Sequence, residues 1–300
     1  MIPQSRIKGI VFMVLAMGSF IASDSASKFV LSEIPPFEVV MLRAIAAMVF
    51  CLVVVVVMGH GRELPRMINP WALARGVCEV GANLTFTFAI MRLPIGDVTA
   101  ICQTAPLLVF LGASFFFGER VGALRLLLIS VGVSGALLVA QPGSTAFSPY
   151  ALLGFVVAIS AAIRDLITRK VPKGTPAPIA ALAVLAMLTL AGEIGMITTE
   201  TPVMPTLTQG LLLVLAGALM VGGHVGLYIA FTSAPVRTVA PFMYALTIWA
   251  VLSSVVLFGE MPNTLAIGGM ALIILAGVAV IFVDAQQTRT ERRARAAAAV

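Results

Sequence analysis

The sequence predicts an all-α integral membrane protein of ten transmembrane helices, built as two inverted five-helix repeats with both termini on the cytoplasmic side. Three observations predict it. The chain is 60% apolar and 11% charged, with a mean hydropathy of +1.08, where a soluble domain averages about 45–50% and about 25%. Its basic residues gather on one side of the apolar runs. It also repeats itself at a fixed offset of 141 residues.

A helix crossing ~30 Å of hydrocarbon needs about 20 apolar residues. Ten stretches meet that length: 7–31, 36–58, 69–92, 95–117, 122–141, 149–171, 176–198, 206–233, 236–258 and 264–283. Short polar or Pro/Gly turns separate them, and no stretch remains for a soluble domain. The runs are continuous rather than alternating, which excludes a transmembrane barrel. The first run follows Arg6 and Lys8 like a signal peptide, but it is too long and has a partner in the second half.

The net charge of +6 follows topology and implies no nucleic-acid partner. With the N-terminus inside, only Lys28, Arg43 and Arg92 of the 19 basic residues fall on the outer side. That bias is the positive-inside pattern of a multi-pass membrane protein and puts both ends in the cytoplasm. The Arg-rich tail, 285–300, reads as an anchor against anionic lipid.

The repeat carries Ser19, Asp24, Lys28 and Pro35 onto Ser160, Asp165, Arg169 and Pro176. Gly76, Gly81 and Pro94 go to Gly217, Gly222 and Pro235, and Phe117-Gly118-Glu119 to Phe258-Gly259-Glu260. The first repeat is 1–141 and the second 142–284, divided at Gln141-Pro142-Gly143-Ser144. Five spans is an odd number, so the second copy enters the membrane upside down.

The recurring pattern is a Pro hairpin, an apolar helix ending in Gly-Glu, and a Gly-dotted helix. It reads Pro94, Gly118-Glu119, Gly132 and Gly135, then Pro235, Gly259-Glu260, Gly269 and Gly277. In this the chain resembles the EamA-type members of the drug/metabolite transporter superfamily, and within them YddG-like bacterial amino-acid exporters. The resemblance implies export of small metabolites through a pathway between spans 1, 3, 4, 6, 8 and 9.

Inverted-repeat transporters bind substrate near the midplane, where the repeats meet. Repeat-related polar residues at that depth are Asn83 with His224, Gln103 with Tyr244, and Thr87 with Tyr228. Thr99, Trp249, Ser19 and Ser160 extend the candidate substrate site. Asn, Ser and Thr inside membranes also serve as glue between helices, and that reading stays open for each. Glu79 shares a helical stripe with Gly76, Asn83 and Thr87. It is structural if Arg75 pairs with it, and a proton or amine site if not. Asp24 and Lys28, like Asp165 and Arg169, are four residues apart at opposite faces. They read as helix-end bridges or as gates, and Glu79 and His224 as the titratable candidates for proton coupling.

No Lys or Arg is expected at the midplane, which disfavours phosphorylated solutes. Amide, imidazole and aromatic groups suit a neutral or zwitterionic solute, most simply an amino acid with an aromatic or hydrophobic side chain. A multidrug or other metabolite exporter is the alternative. There is no phosphate-binding loop, no H-E-x-x-H and no metal-ligand spacing among Cys51, Cys78 and Cys102. The expectation is secondary or facilitative transport by alternating access, without cofactor or metal. An integral-membrane enzyme is the remote alternative, since no catalytic cluster is visible. The expected partners are the solute and lipid, with a homodimer through the Gly-dotted spans 5 and 10 as a further possibility.

Overall fold

The computed structural model describes residues 4–117, 122–141, 148–168, 176–234 and 236–297. All regular structure among them is helical. Among the described residues, seven helices are individually long and apolar enough to cross a membrane, and shorter apolar stretches run over Ile95–Val109 and Leu126–Ala140. The third predicted span, at Pro70–Ile90, carries Arg75, Glu79 and Asn83 within its length.

In order, α1 is Gln4–Val30, α2 Pro36–Val57, α3 Pro70–Ile90, α4 Ile95–Cys102, α5 Ala105–Phe117 and α6 Ala123–Ala140. The second half follows as α7 Ala151–Thr168, α8 Ala177–Thr199, α9 Leu207–Ser233, α10 Val236–Val239, α11 Ala245–Phe258 and α12 Thr264–Ala297. A 3₁₀ segment, Ala240–Tyr244, joins α10 to α11. We call the side where α1 starts the near face and the side where it ends the far face.

The fourth and ninth predicted spans are each broken. Pro106 has no N–H to offer the carbonyl of Cys102, and the chain between α4 and α5 tightens, with Thr104 N–H donating to Ile101 O at 3.1 Å. Pro241 acts alike inside Ala240–Tyr244. The two breaks lie at the same place in the repeat, since Gln103 plus 141 is Tyr244. The same offset carries the ends of α2 onto 177 and 198, and those of α5 onto 246 and 258, within a residue of the ends of α8 and α11.

Helix starts follow local chemistry. Asn69 caps α3 by accepting from the N–H groups of Trp71 and Ala72, ahead of Pro70 in the first turn. Thr206 and Gln209 form a reciprocal capping box on α9. The end of α11 explains the Gly-Glu motif. Gly259 sits at φ +67°, where a Cβ is strained, and Glu260 N–H returns to Ser254 O at 2.9 Å. The carboxylate of Glu260 is thereby aimed across the far face. Gly118, Glu119 and Pro235, its repeat-related partners in the motif, lie outside the described residues.

Packing pairs each helix with one from the other half: α1 with α9, α3 with α7, α2 with α8, and α6 with α12. Small residues let these backbones meet, as lipid supplies no hydrophobic drive between helices. Gly217 of α9 rests on Ala46 and Ala47 of α2. Gly135 of α6 and Gly269 of α12 face each other so closely that either Cβ would meet the other's carbonyl oxygen. The glycine faces of the fifth and tenth spans are thus consumed within one chain, and the expected homodimer through them is not supported.

Candidate functional site

The polar stripe of α3 organises the membrane interior. Glu79 and Asn83 lie one turn apart, and each takes a guanidinium from another helix. Arg43 of α2 donates to Asn83 Oδ1 at 2.9 Å, to Asp24 Oδ1 of α1 at 3.0 Å and to Ser27 Oγ at 3.2 Å. Arg164 of α7 donates to both oxygens of Glu79 at 3.0 and 3.1 Å, and to Asp165 at 2.8 Å. Arg75 stands 3.5 Å from Glu79. Helices from both halves are joined through this stripe.

Depth follows from helix register. Asp24 is six residues before the end of α1, Arg43 seven after the start of α2 and Asn83 seven before the end of α3. At 1.5 Å per residue all three stand ~10 Å below the far face. Glu79 is nine residues into α3 from the near face, or ~14 Å. The Arg43 side chain is only 5% exposed, whereas that of Asp24 is 23% exposed. Glu79 and Arg164 are 25% and 24% exposed.

The expectation of no cation at the midplane is corrected here. Two arginines reach the α3 stripe, each matched by a carboxylate. The i,i+4 bridge between Asp24 and Lys28 does not form either. Asp24 belongs to Arg43, and Lys28 crosses to Glu260 at 2.8 Å. Arg169, expected to partner Asp165, lies outside the described residues; Asp165 bonds its neighbour Arg164. Glu193 is exposed on α8, and Arg43 bonds Asp24, Ser27 and Asn83.

The other candidates divide. Gln103, at the break between α4 and α5, donates from Nε2 to Met243 O at 3.2 Å. It clasps one interrupted span to the other. Trp249 donates to Val14 O at 3.1 Å, with its ring on Gly18. Ser19 donates to Leu219 O at 2.7 Å, which is helix glue between α1 and α9. Thr87 returns its hydroxyl to Asn83 O in its own helix. Thr99 is buried in α4, and Ser160 is half-buried in α7.

Tyr244 was expected to line a pathway, but it is 3% exposed in the core formed with α4, α6 and α12, its hydroxyl against Gly277. His224 and Tyr228 are exposed on α9. The His224 ring nitrogen Nδ1 stands 2.8 Å from Met220 O of its own helix, and the ring meets Phe20 edge-on. Among the described residues, no bond joins it to Asn83 or Gln103. Sequence spacing missed the true partners, Arg43 and Arg164, because a pair between helices leaves no local periodicity. Their one signal was charge inside an apolar run.

The far face is sealed by polar bonds. Lys28 bonds both oxygens of Glu260 at 2.8 and 2.9 Å and the Leu93 carbonyl at 3.0 Å, with its ammonium 4.7 Å from the Phe258 ring centre. Glu200, which ends α8, accepts from the N–H groups of Phe37 and Glu38 at the start of α2. Glu38 in turn accepts from Val203 N–H. Along the two broken spans, α4 packs on α11 in the far half, while α5 in the near half packs on α7, α6 and α12.

Residues 7–141 match the EamA-like transporter family. The chain is 28% identical to the pseudopaline exporter of Pseudomonas aeruginosa strain UCBPP-PA14, over 90% of this chain and 95% of that one. It is 26% identical to the S-adenosylmethionine uptake transporter of Rickettsia bellii, over 91% and 93%. With the riboflavin transporter of Rhizobium johnstonii it shares 29% identity over 78% and 76%. A solved crystal structure superimposes with a TM-score of 0.65 at 20% identity, covering 93% of this chain and 97% of that one, which shows the shared fold. These relatives are transporters and not enzymes. The chain is a multi-pass helical membrane protein whose residues 7–141 match the EamA-like transporter family and whose relatives named above are transporters.

Proposed function

We propose that this protein is a secondary transporter that moves small zwitterionic or neutral metabolites, amino acids foremost, by alternating access across a bacterial inner membrane. The observation that carries the reading is the α3 ladder, where Glu79 and Asn83 are held from two sides by Arg164 and by Arg43 with Asp24. Charged groups inside a bilayer are costly and face a cavity or one another. Here each arginine has its own carboxylate, so the interior carries both signs without a surplus. Such a lining suits a solute that brings both charges or none. A phosphorylated solute would require unmatched cations.

Asp24 supplies a partly exposed carboxylate for a substrate ammonium, and Arg164 a half-buried guanidinium for a carboxylate. On the positive-inside reading the far face is outside, and its bonds close that side. The relatives extend the range of solutes to larger ones, riboflavin and S-adenosylmethionine among them, and a metabolite of that size is the second reading.

The test is uptake of labelled amino acids, riboflavin and S-adenosylmethionine into proteoliposomes holding the full chain, with and without a pH gradient. Saturable uptake of an amino acid, competed by its unlabelled form and lost in Glu79→Gln and Arg164→Ala, is the expected result. Uptake of riboflavin with no response to any amino acid would overturn the amino-acid assignment.

A further inference from the structure

The far-face seal contains one more acid than its cation can match. Lys28, 12% exposed, is committed to Glu260 and the Leu93 carbonyl. Beneath that bridge, Gly96 N–H donates to Ser254 Oγ at 2.9 Å, with Gly96 lying against the Val251 backbone. The next residue, Asp97, lines the same small pocket as Glu260, Ser254 and Met270. Its Oδ1 is wholly buried and has no hydrogen-bond partner among the described residues. A buried carboxylate oxygen without a donor is costly, and a second carboxylate beside it adds repulsion.

Among the described residues, no other cation relieves it. Arg92, in the turn before α4, is drawn to the Tyr150 ring, 5.6 Å from its centre. Asp24, one turn before Lys28, holds Arg43. The charges that α3 and α7 contribute, Glu79, Arg164 and Asp165, belong to the near-half cluster. Arg125 of α6 and the charged end of α12 from Asp284 lie toward the near ends of those helices.

We propose that Asp97 and Glu260 form a proton-binding site within the far-face gate, so that closing this face takes up one proton. A proton held by the pair cancels one of two negative charges and leaves Lys28 balanced by the other. When α4 parts from α11, water reaches Asp97 and the proton is released to the far side. Acid on the far face therefore holds the gate shut, and alkali favours opening. The site is one-sided: the repeat places Thr238 where Asp97 stands, so the opposite face has no equivalent second acid. The inference rests on the alternating-access reading, but its readout needs no substrate.

The test uses full-length protein in nanodiscs, with Cys51, Cys78 and Cys102 replaced by Ala and spin labels at Arg92→Cys and Met261→Cys, both exposed far-face positions. Pulsed electron resonance then measures the separation between about pH 5 and about pH 8. We expect a short distance in acid that yields to a longer one in alkali, the ratio changing by up to about tenfold per pH unit for a single proton. Asp97→Asn and Asp97→Thr, which copies the other repeat, keep the short distance throughout. A pH response that survives in either folded variant, or no response in the parent, overturns the proposal. Uptake that proceeds while the distance ignores pH defeats the proton site alone. A distance response without uptake of any solute defeats the substrate reading alone.

Discussion

Arg43 shows how much a single side chain inside a membrane depends on its partners. It is nearly inaccessible and bonds Asp24, Ser27 and Asn83 from three different positions. Removing one member of a buried pair leaves the other charged and unmatched, at about 3 kcal/mol or more. Arg43→Ala should therefore lower the thermal midpoint in detergent strongly. Arg43→Lys, with a point charge in place of a fork, should recover only part of the loss. At the far face, Gly259→Ala forces a Cβ into the left-handed region, a cost of about 1 kcal/mol. The turn that aims Glu260 is the part that yields. The expected outcome is a looser Lys28–Glu260 bridge, read as a longer spin-label separation between Arg92→Cys and Met261→Cys than in the parent. The Gly-Glu motif was legible in the sequence, because a helix-ending glycine has a local cause. The identity of its partner was not. Asp24 and Lys28 have the spacing of an i,i+4 bridge, yet interhelical partners offered each of them a better-placed opposite charge.

At the scale of elements, two interrupted spans meet at their interruptions. Pro106 and Pro241 each remove a backbone donor, and Gln103 reaches from one break to the Met243 carbonyl at the other. The sequence reading assigned Gln103 to substrate. The bond across the breaks makes it a clasp between the parts that must move. The two roles separate kinetically. Gln103→Leu should reduce the maximal uptake rate several-fold while leaving the half-saturating concentration nearly unchanged; a matching rise in that concentration would return Gln103 to the substrate site. The α6–α12 pair makes a different prediction. Gly135→Leu inserts a side chain where the Gly269 carbonyl already touches, so the protein should lose its sharp thermal transition and elute as an aggregate. If glycine served only a second copy, this variant would instead stay folded as a monomer.

Over the whole molecule, the far face is closed by bonds from α1, α2, α8 and α11, and the two halves are interleaved pair by pair. Lys28→Cys with Glu260→Cys, joined by a short reducible bifunctional thiol crosslinker, should therefore lose uptake until the linker is reduced, and a crosslinked double variant that transports at the parent rate would show that this bridge is no gate. Composition and the apolar runs determined the all-helical membrane fold, whereas the breaks in the fourth and ninth spans appeared only in the structure. These follow from short-range causes: hydrocarbon thickness sets run length, and proline and glycine act on their own turn. Only the tertiary structure decided which charges meet. It gave Arg164 to Glu79, Arg43 to Asp24 and Asn83, and Lys28 to Glu260, buried Tyr244 against Gly277, and left Asp97 with an unmatched oxygen. In a medium without water a charge must find an opposite charge, and which one lies within reach depends on how helices from opposite halves pack, information that no single helix carries.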